Sequence, residues 1–244
     1  MKAFGVTHQG KVRKENQDSF RLNAPANREL LTAVLCDGMG GARGGSIASS
    51  IAADTFMYHA ANSLDESSTA ADMREMLTSA VNTANKKVYD KSFSDLSCMG
   101  MGCTLVALII AGKRAFVANV GDSRAYLISG KTIRQITSDH SLVADMLARG
   151  KITPEEARSH PQKNIITRAV GVEAVVKSDL FEVKLPAGGW VLLCSDGLSN
   201  LVSDAEMLDA VKRNADPETA CNELLETALS RGAPDNVTVL LVQR

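Results

Sequence analysis

Five aspartates stand where apolar segments begin or end. The stretch "LTAVLCDGMGG" (31–41) runs apolar up to Asp37-Gly38, and "GGWVLLCSDGLSN" (188–200) repeats that design at Asp196-Gly197. Asp122 in "ANVGDSRAYL" and Asp235 in "GAPDNVTVLLV" mark two further strand edges, and Asp18 opens the segment that follows "RKENQ". Taken singly, an Asp-Gly or Asp-Asn pair at a strand end is a turn signal. Taken together, carboxylates meeting at converging strand ends without counter-charge would repel and raise one another's pKa, so the set calls for cations. Hard oxygen ligands with no histidine or thiolate among them suit magnesium or manganese rather than zinc, and a cluster of this size can hold two ions. A glycine at 38 has no Cβ, which would let its carbonyl approach an ion closely.

Two divalent ions roughly 3.5–4 Å apart acidify a bridging water and clamp the oxygens of an in-line displacement, which is the chemistry of phosphoester hydrolysis. Arg13 lies shortly before Asp18, and its planar fork could bind two non-bridging phosphate oxygens. Glycine-rich nucleotide loops fit the sequence less well. The G-x-G-x-x-G pattern fails at Arg43 when started from Gly38 and at Leu105 when started from Gly100. Gly130-Lys131-Thr132 lacks the earlier P-loop glycine, Ala125 standing there, and reads as a hairpin turn. His140 in "TSDHS" leaves two readings open, a catalytic group or a hydrogen-bonding structural one.

The elements that must position these residues are legible from periodicity. Strands are expected at 2–8, 17–22 and 30–36, a helix after the glycines through Ile47, Ala48, Ile51, Ala52 and Phe56, and a second helix over 69–91. Four strands between 102 and 137, joined at Ala111-Gly112, Gly121-Asp122 and Ser129-Gly130, read as an antiparallel meander. Residues 140–170, interrupted by Pro154 and Pro161, read as a surface excursion. Strands at 178–185 and 190–194, helices at 203–213 and 217–230, and a closing strand at 236–242 complete the chain. Strand runs and helix pairs are segregated, which fits an α+β layered sandwich better than a parallel doubly wound sheet.

The 244 residues carry 45% hydrophobic and 23% charged side chains, the composition of one ordinary globular domain with a sizeable core. A net charge of −1 gives no basic field for nucleic acid or an anionic membrane. No apolar run reaches the ~18 residues of a membrane span, and the N-terminal stretch has no secretory h-region, so a cytoplasmic protein is expected. The cysteines (36, 98, 103, 194 and 221) are odd in number and contain no C-x-x-C pair, which argues against a disulfide framework and a structural zinc site. None begins the Cys-x5-Arg signature of a cysteine-dependent phosphatase.

Seven segments in order, "VRKENQD" (12–18), "LCDGMGG" (35–41), "GCTLVALI" (102–109), "ANVGDSRAYL" (118–127), "TSDHS" (137–141), "LLCSDGL" (192–198) and "PDNVTVLLV" (234–242), resemble the metal-dependent serine/threonine protein phosphatases of type 2C, especially their short bacterial members. The resemblance spans nearly the whole chain. It implies a four-layer α-β-β-α sandwich with two central antiparallel sheets, forming a single catalytic domain over 1–244, and a flap at about 143–170. It also implies two divalent cations, Mn2+ or Mg2+: Asp37 bridging them, the Gly38 carbonyl on one, Asp196 and Asp235 on the other, and Asp18 acting through a coordinated water. Asp122 with Asp196 would form a weaker third position, Arg13 would hold substrate phosphate, and Asn236 would orient neighbours or water. The implied enzyme is a monomer that hydrolyses phosphoserine and phosphothreonine on proteins modified by a serine/threonine kinase. The rival from another class is a noncatalytic phosphoprotein-binding module of the same fold. The chain departs from the family pattern at Met39, where a histidine is frequent, at Ser46, where a glutamate is frequent, and at Cys103, where threonine is usual.

Overall fold

A computed structural model describes residues 1–25 and 30–244, with the side chains of 41–43 and 158–159 outside the description. In chain order it contains β1 (Lys2–His8), β2 (Asp18–Asn23), β3 (Leu30–Met39), α1 (Gly41–Ser63), α2 (Ala70–Ser94), β4 (Gly102–Cys103), β5 (Leu105–Ala111), β6 (Arg114–Val120), β7 (Arg124–Ser129) and β8 (Thr132–Gln135). Then come α3 (Leu142–Ala148), α4 (Pro154–Ser159), β9 (Asp179–Lys184), β10 (Trp190–Cys194), α5 (Asp196–Ser199), α6 (Asp204–Arg213), α7 (Pro217–Ser230) and β11 (Val237–Gln243). One antiparallel sheet has the order β1-β11-β10-β7-β8 and the other β2-β3-β5-β6-β9, with β4 paired to the end of β3.

Alternation along the strands makes the layers. In β3, Val34 and Cys36 join a core with α1 and α2, while Leu31, Ala33 and Leu35 face the opposite sheet. In β10, Leu192 and Cys194 pack with α6 and α7, while Val191 and Leu193 point between the sheets. Because a period of two sends neighbours to opposite faces, strands apolar on both faces are covered twice. The result is helices, sheet, sheet and helices, the expected four-layer sandwich. The apolar stripe of α2, from Met73 to Val88, is buried, and a Thr69–Asp72 capping box starts that helix.

Three local expectations are corrected. The strands from 102 to 137 do not form a meander: β6 pairs with β9, β7 pairs with β10, and Gly121-Asp122 carries the chain from one sheet to the other. Gly121 has φ +104°, and a Cβ there would lie 2.6 Å from Thr104 Cγ2, so the step is sharp and closely packed. The strand expected at 30–36 continues through Asp37 and Gly38 to Met39, because Gly38 pairs with Cys103 and Met39 with Gly102. Pro154 does not interrupt a helix; it starts α4 behind a Thr153–Glu156 capping box, where its missing N–H costs nothing.

Register gathers one set of strand ends. Asp18 at the start of β2 faces Asp37 near the end of β3. Val120 at the end of β6 faces Leu105 at the start of β5, Arg124 at the start of β7 faces Cys194 at the end of β10, and His8 faces Val237. Every segment bearing one of the five aspartates therefore leaves or enters a sheet at the same end of the sandwich.

Candidate active site

At that end lies a cleft of about 290 Å³ lined by Arg13, Asp37, Gly38, Met39, Asp122, Asn164, Asp196, Asp235 and Asn236, among others. Asp18 sits beneath it, 7% exposed. Its Oδ2 accepts from the hydroxyls of Ser195 at 2.8 Å and Thr238 at 2.6 Å, which reach it from the residue after β10 and from β11 across the sandwich. Its Oδ1 is buried and, among the described residues, has no hydrogen-bond partner. A buried carboxylate oxygen left unpaired is costly unless a cation or water completes it, and this one belongs to a side chain already fixed in place by two hydroxyls.

Asp37 is held through its backbone. Its N–H donates to Thr104 Oγ1 at 2.9 Å and its carbonyl accepts from the Thr104 N–H at 2.8 Å, while Thr104 Oγ1 also meets Ser123 Oγ at 2.7 Å. Its carboxyl therefore projects into the cleft from a braced strand. Gly38 has a steric reason for its identity besides the access of its carbonyl: a Cβ would collide with the carbonyl of Gly45 in α1 and lie 2.6 Å from that of Gln17. At Asp196-Gly197 the parallel drawn from sequence stops, since β10 ends at Cys194 and the pair enters the short α5.

The electrostatics show convergence. Burial pushes the Asp37 carboxyl well above the usual range, and Asp18, Asp196, Asp122 and Asp235 push it further in the same direction. Burial, chiefly, raises Asp18 and Asp122 to about 7 and Asp196 to about 6, and the Asp196 charge adds to the rise in the other two. Asp196 in turn is raised by Asp235, against which Arg13 and Arg124 act. Among the described residues these carboxylates are not drawn into a closed cage of three or more at ligating spacing. They line one cleft and act on one another through it. Five acidic groups with oxygen donors only, one of them carrying an unpaired buried oxygen, fit hard divalent cations.

Among the described residues, Arg13 is the cation that forms an ion pair with this set. Its Nη2 donates to Asp235 Oδ2 at 2.7 Å, and the guanidinium is more than half exposed. Asn236 is buried and uses its whole amide on the loop that carries Arg13: Nδ2 donates to the carbonyls of Gln9 (2.8 Å) and Glu15 (2.9 Å), and Oδ1 accepts from the Gln17 N–H (2.8 Å). Ser46 donates to Glu15 at 3.1 Å in that neighbourhood. His140 lies outside the cleft lining, its ring hydrogen-bonded to the Gly121 N–H, and burial lowers its pKa.

Sequence reasoning did not single out Thr104, Ser195 and Thr238, which position Asp37 and Asp18, or Asn164 and Ile166, which line the far side of the cleft. Ser195 and Thr238 each carry a signal after the fact: a hydroxyl beside an Asp-Gly pair, and a polar residue breaking the apolar closing strand.

Comparison with known proteins is consistent throughout the chain. The family model described as protein phosphatase 2C matches residues 5–231. The serine/threonine phosphatase stp of Listeria welshimeri is 39% identical over 238 residues, covering 98% of this chain and 94% of its own length. The crystal structure of the serine/threonine phosphatase Stp1 from Staphylococcus aureus superposes with a TM-score of 0.92 at 34% identity, over 99% of this chain and 94% of that one. The catalytic domain of the phosphatase PstP, solved in complex with 2 manganese ions, superposes with a TM-score of 0.84 at 35% identity, over 98% of this chain and 96% of that one. With the sandwich, the order of the motifs and nearly the full length all matched, the chain belongs to the protein phosphatase 2C family and is a protein phosphatase.

Proposed function

We propose that this phosphatase hydrolyses phosphoserine and phosphothreonine on proteins, using two divalent cations, Mn2+ or Mg2+, held by Asp37, the Gly38 carbonyl, Asp196 and Asp235, with Asp18 engaged through water. Asp122 and Asp196 offer a weaker third position. The observation that carries this reading is the charge balance: four aspartates line one cleft above a fifth, and among the described residues Arg13 is the cation that pairs with one of them there. A Mn2+-bound relative of the same fold supports the choice of ion. Bound there, such a pair would supply an acidified water as the nucleophile, for direct hydrolysis without a phosphoenzyme.

The chain's own residues prepare that step. Ser195 and Thr238 fix Asp18, Thr104 fixes Asp37, and Asn236 fixes the loop that carries Arg13. Arg13 gives one Nη2 hydrogen to Asp235, which leaves its remaining N–H groups as the donors for non-bridging phosphate oxygens. Met39 lines the cleft and has no proton to give, so the leaving serine or threonine oxygen takes its proton from water. A thiolate nucleophile is disfavoured: all five cysteines are buried, and burial pushes Cys194 and Cys221 up to about 12.

Hydrolysis of a phosphothreonine peptide, measured with manganese and with chelator, tests the reading. Turnover that needs the ion and disappears in Asp37→Asn is expected. Chelator-resistant turnover would remove the metal mechanism, and peptide binding without turnover in any metal would favour the binding module.

A further inference from the structure

The "TSDHS" motif takes no part in the cleft, yet its histidine makes an unusual set of bonds to the turn that bears Asp122. The His140 N–H donates to the Gly121 carbonyl at 3.0 Å, and His140 Nδ1 accepts from the Gly121 N–H at 3.0 Å. One residue thus holds both backbone polar groups of Gly121, the N–H of the peptide unit before it and the C=O of the unit it shares with Asp122. Asn119 adds a bond to the same carbonyl at 3.2 Å and ties it to Ser138 at 3.1 Å. With Nδ1 accepting, the ring proton sits on Nε2, which lies 3.3 Å from Asp179 Oδ2 and 3.0 Å from Arg168 Nη1. Asp179 Oδ1 is gripped by Arg168 Nη1 at 2.8 Å, which also donates to the Lys177 carbonyl at 2.9 Å.

On its other side His140 carries the end of the surface excursion. Its carbonyl accepts from the Thr167 N–H at 2.8 Å, Ser141 bridges to Ile166, and the Leu142 N–H donates to the Ile165 carbonyl at 2.9 Å. Asn164 and Ile166 of that segment line the cleft opposite the aspartates. The ring is 7% exposed and does not itself reach the cleft.

We propose that His140 is the positioning residue for Asp122: its backbone and Nδ1 together set the Gly121-Asp122 turn and join it to the cleft-lining segment 164–167. This rests on the proposed role of Asp122 in the weaker cation position. Glycine at 121 gives the turn its left-handed φ and leaves it no side chain of its own to fix it, so the orientation of Asp122 depends on what grips the peptide from outside.

The test is manganese binding to the chelator-stripped intact chain, followed by electron paramagnetic resonance of the free ion. His140→Ala should weaken the weakest binding class about 10-fold or more, the scale of losing a supporting partner, and leave the tighter classes within about threefold. His140→Asn places an amide oxygen near the position of Nδ1 and should keep the weak class within about threefold of the parent. A folded His140→Ala with an unchanged weak class overturns the proposal. Where His140→Ala fails to fold, His140→Asn decides, and a loss of about 10-fold in it overturns the assignment to the Nδ1 acceptor. A parent chain with two tight sites and no weaker one removes this inference and leaves the proposed function standing; a parent that takes up no manganese removes both.

Discussion

Aspartates occur in two neighbouring settings in this molecule, and they differ in who supplies the cation. Asp139 meets Arg124 through both carboxylate oxygens, with Nε at 3.0 Å and Nη2 at 2.7 Å, and Gln135 adds a bond at 2.8 Å. Asp179 has Arg168 and the imidazole of His140. In the cleft, Asp18, Asp37, Asp122 and Asp196 have one another, and their carboxyls are pushed up. Where the chain brings its own guanidinium, an aspartate is architecture. Where, among the described residues, it brings five carboxylates to one place and pairs only Asp235 with a guanidinium, it has left most of the positive charge to come from solution.

That contrast predicts opposite consequences for mutation. Asp37→Asn should lower kcat by about 10²–10³-fold or more, the loss expected when preorganised charge stabilisation is removed, while the chelated protein melts no lower than the parent. A large fall in melting temperature would place Asp37 with the structural aspartates. Arg124→Ala should do the reverse, costing about 3 kcal/mol in denaturant unfolding because it strands Asp139, while kcat per folded molecule stays within about threefold. Unchanged stability would break the comparison from the other side.

Asn236→Ala should cost about 1–3 kcal/mol and raise KM, since it removes the bonds from Asn236 to the Gln17 N–H and to the Gln9 and Glu15 carbonyls and loosens the loop that holds Arg13. Chemical denaturation beside steady-state kinetics checks both halves.

A pH series in chelator sharpens the same contrast. The cleft carboxyls, raised to about 6 or 7 in the fold, hold protons that the unfolded chain releases near pH 4, so their contribution is present at low pH and is lost as pH rises through 6 to 7. Asp179 is shifted down, so its contribution is present above the ordinary carboxylate pKa and lost as pH falls through its lowered value. Melting temperature in chelator should therefore decline between about pH 5 and 7.5, and manganese should abolish the decline. A flat profile in chelator would mean that the cleft carboxylates are not coupled as described.

The smallest effect belongs to Arg13→Ala. The exposed Arg13–Asp235 pair contributes about 0–1 kcal/mol to stability, so the change should appear mainly as a higher KM for phosphopeptide. Because Arg13 also touches Asp235, a modest shift in manganese affinity is expected beside it, and an unchanged KM would remove the phosphate-binding role.

Much of this was legible in the chain itself because it depends on local pattern. Apolar and β-branched runs between polar turns marked the strands, amphipathic spacing marked α1, α2, α6 and α7, and Asp-Gly or Asp-Asn pairs marked the strand ends. What escaped depends on contacts between distant segments. Gly121-Asp122 carries the same turn signal whether it closes a hairpin or crosses between sheets, and pairing of β6 with β9 decides between them. The extension of β3 past Asp37 is decided by the two-residue β4, more than sixty positions on. The hydroxyls that hold Asp18 lie 177 and 220 residues away, and no local periodicity could report them.

Uptake of manganese by the chelator-stripped chain, counted by electron paramagnetic resonance of the free ion, addresses the cleft most directly. At least two ions per chain in the parent, with tight uptake lost in both Asp37→Asn and Asp196→Asn, is the predicted result. No uptake, or the same stoichiometry and affinity in the parent and both variants, would contradict it.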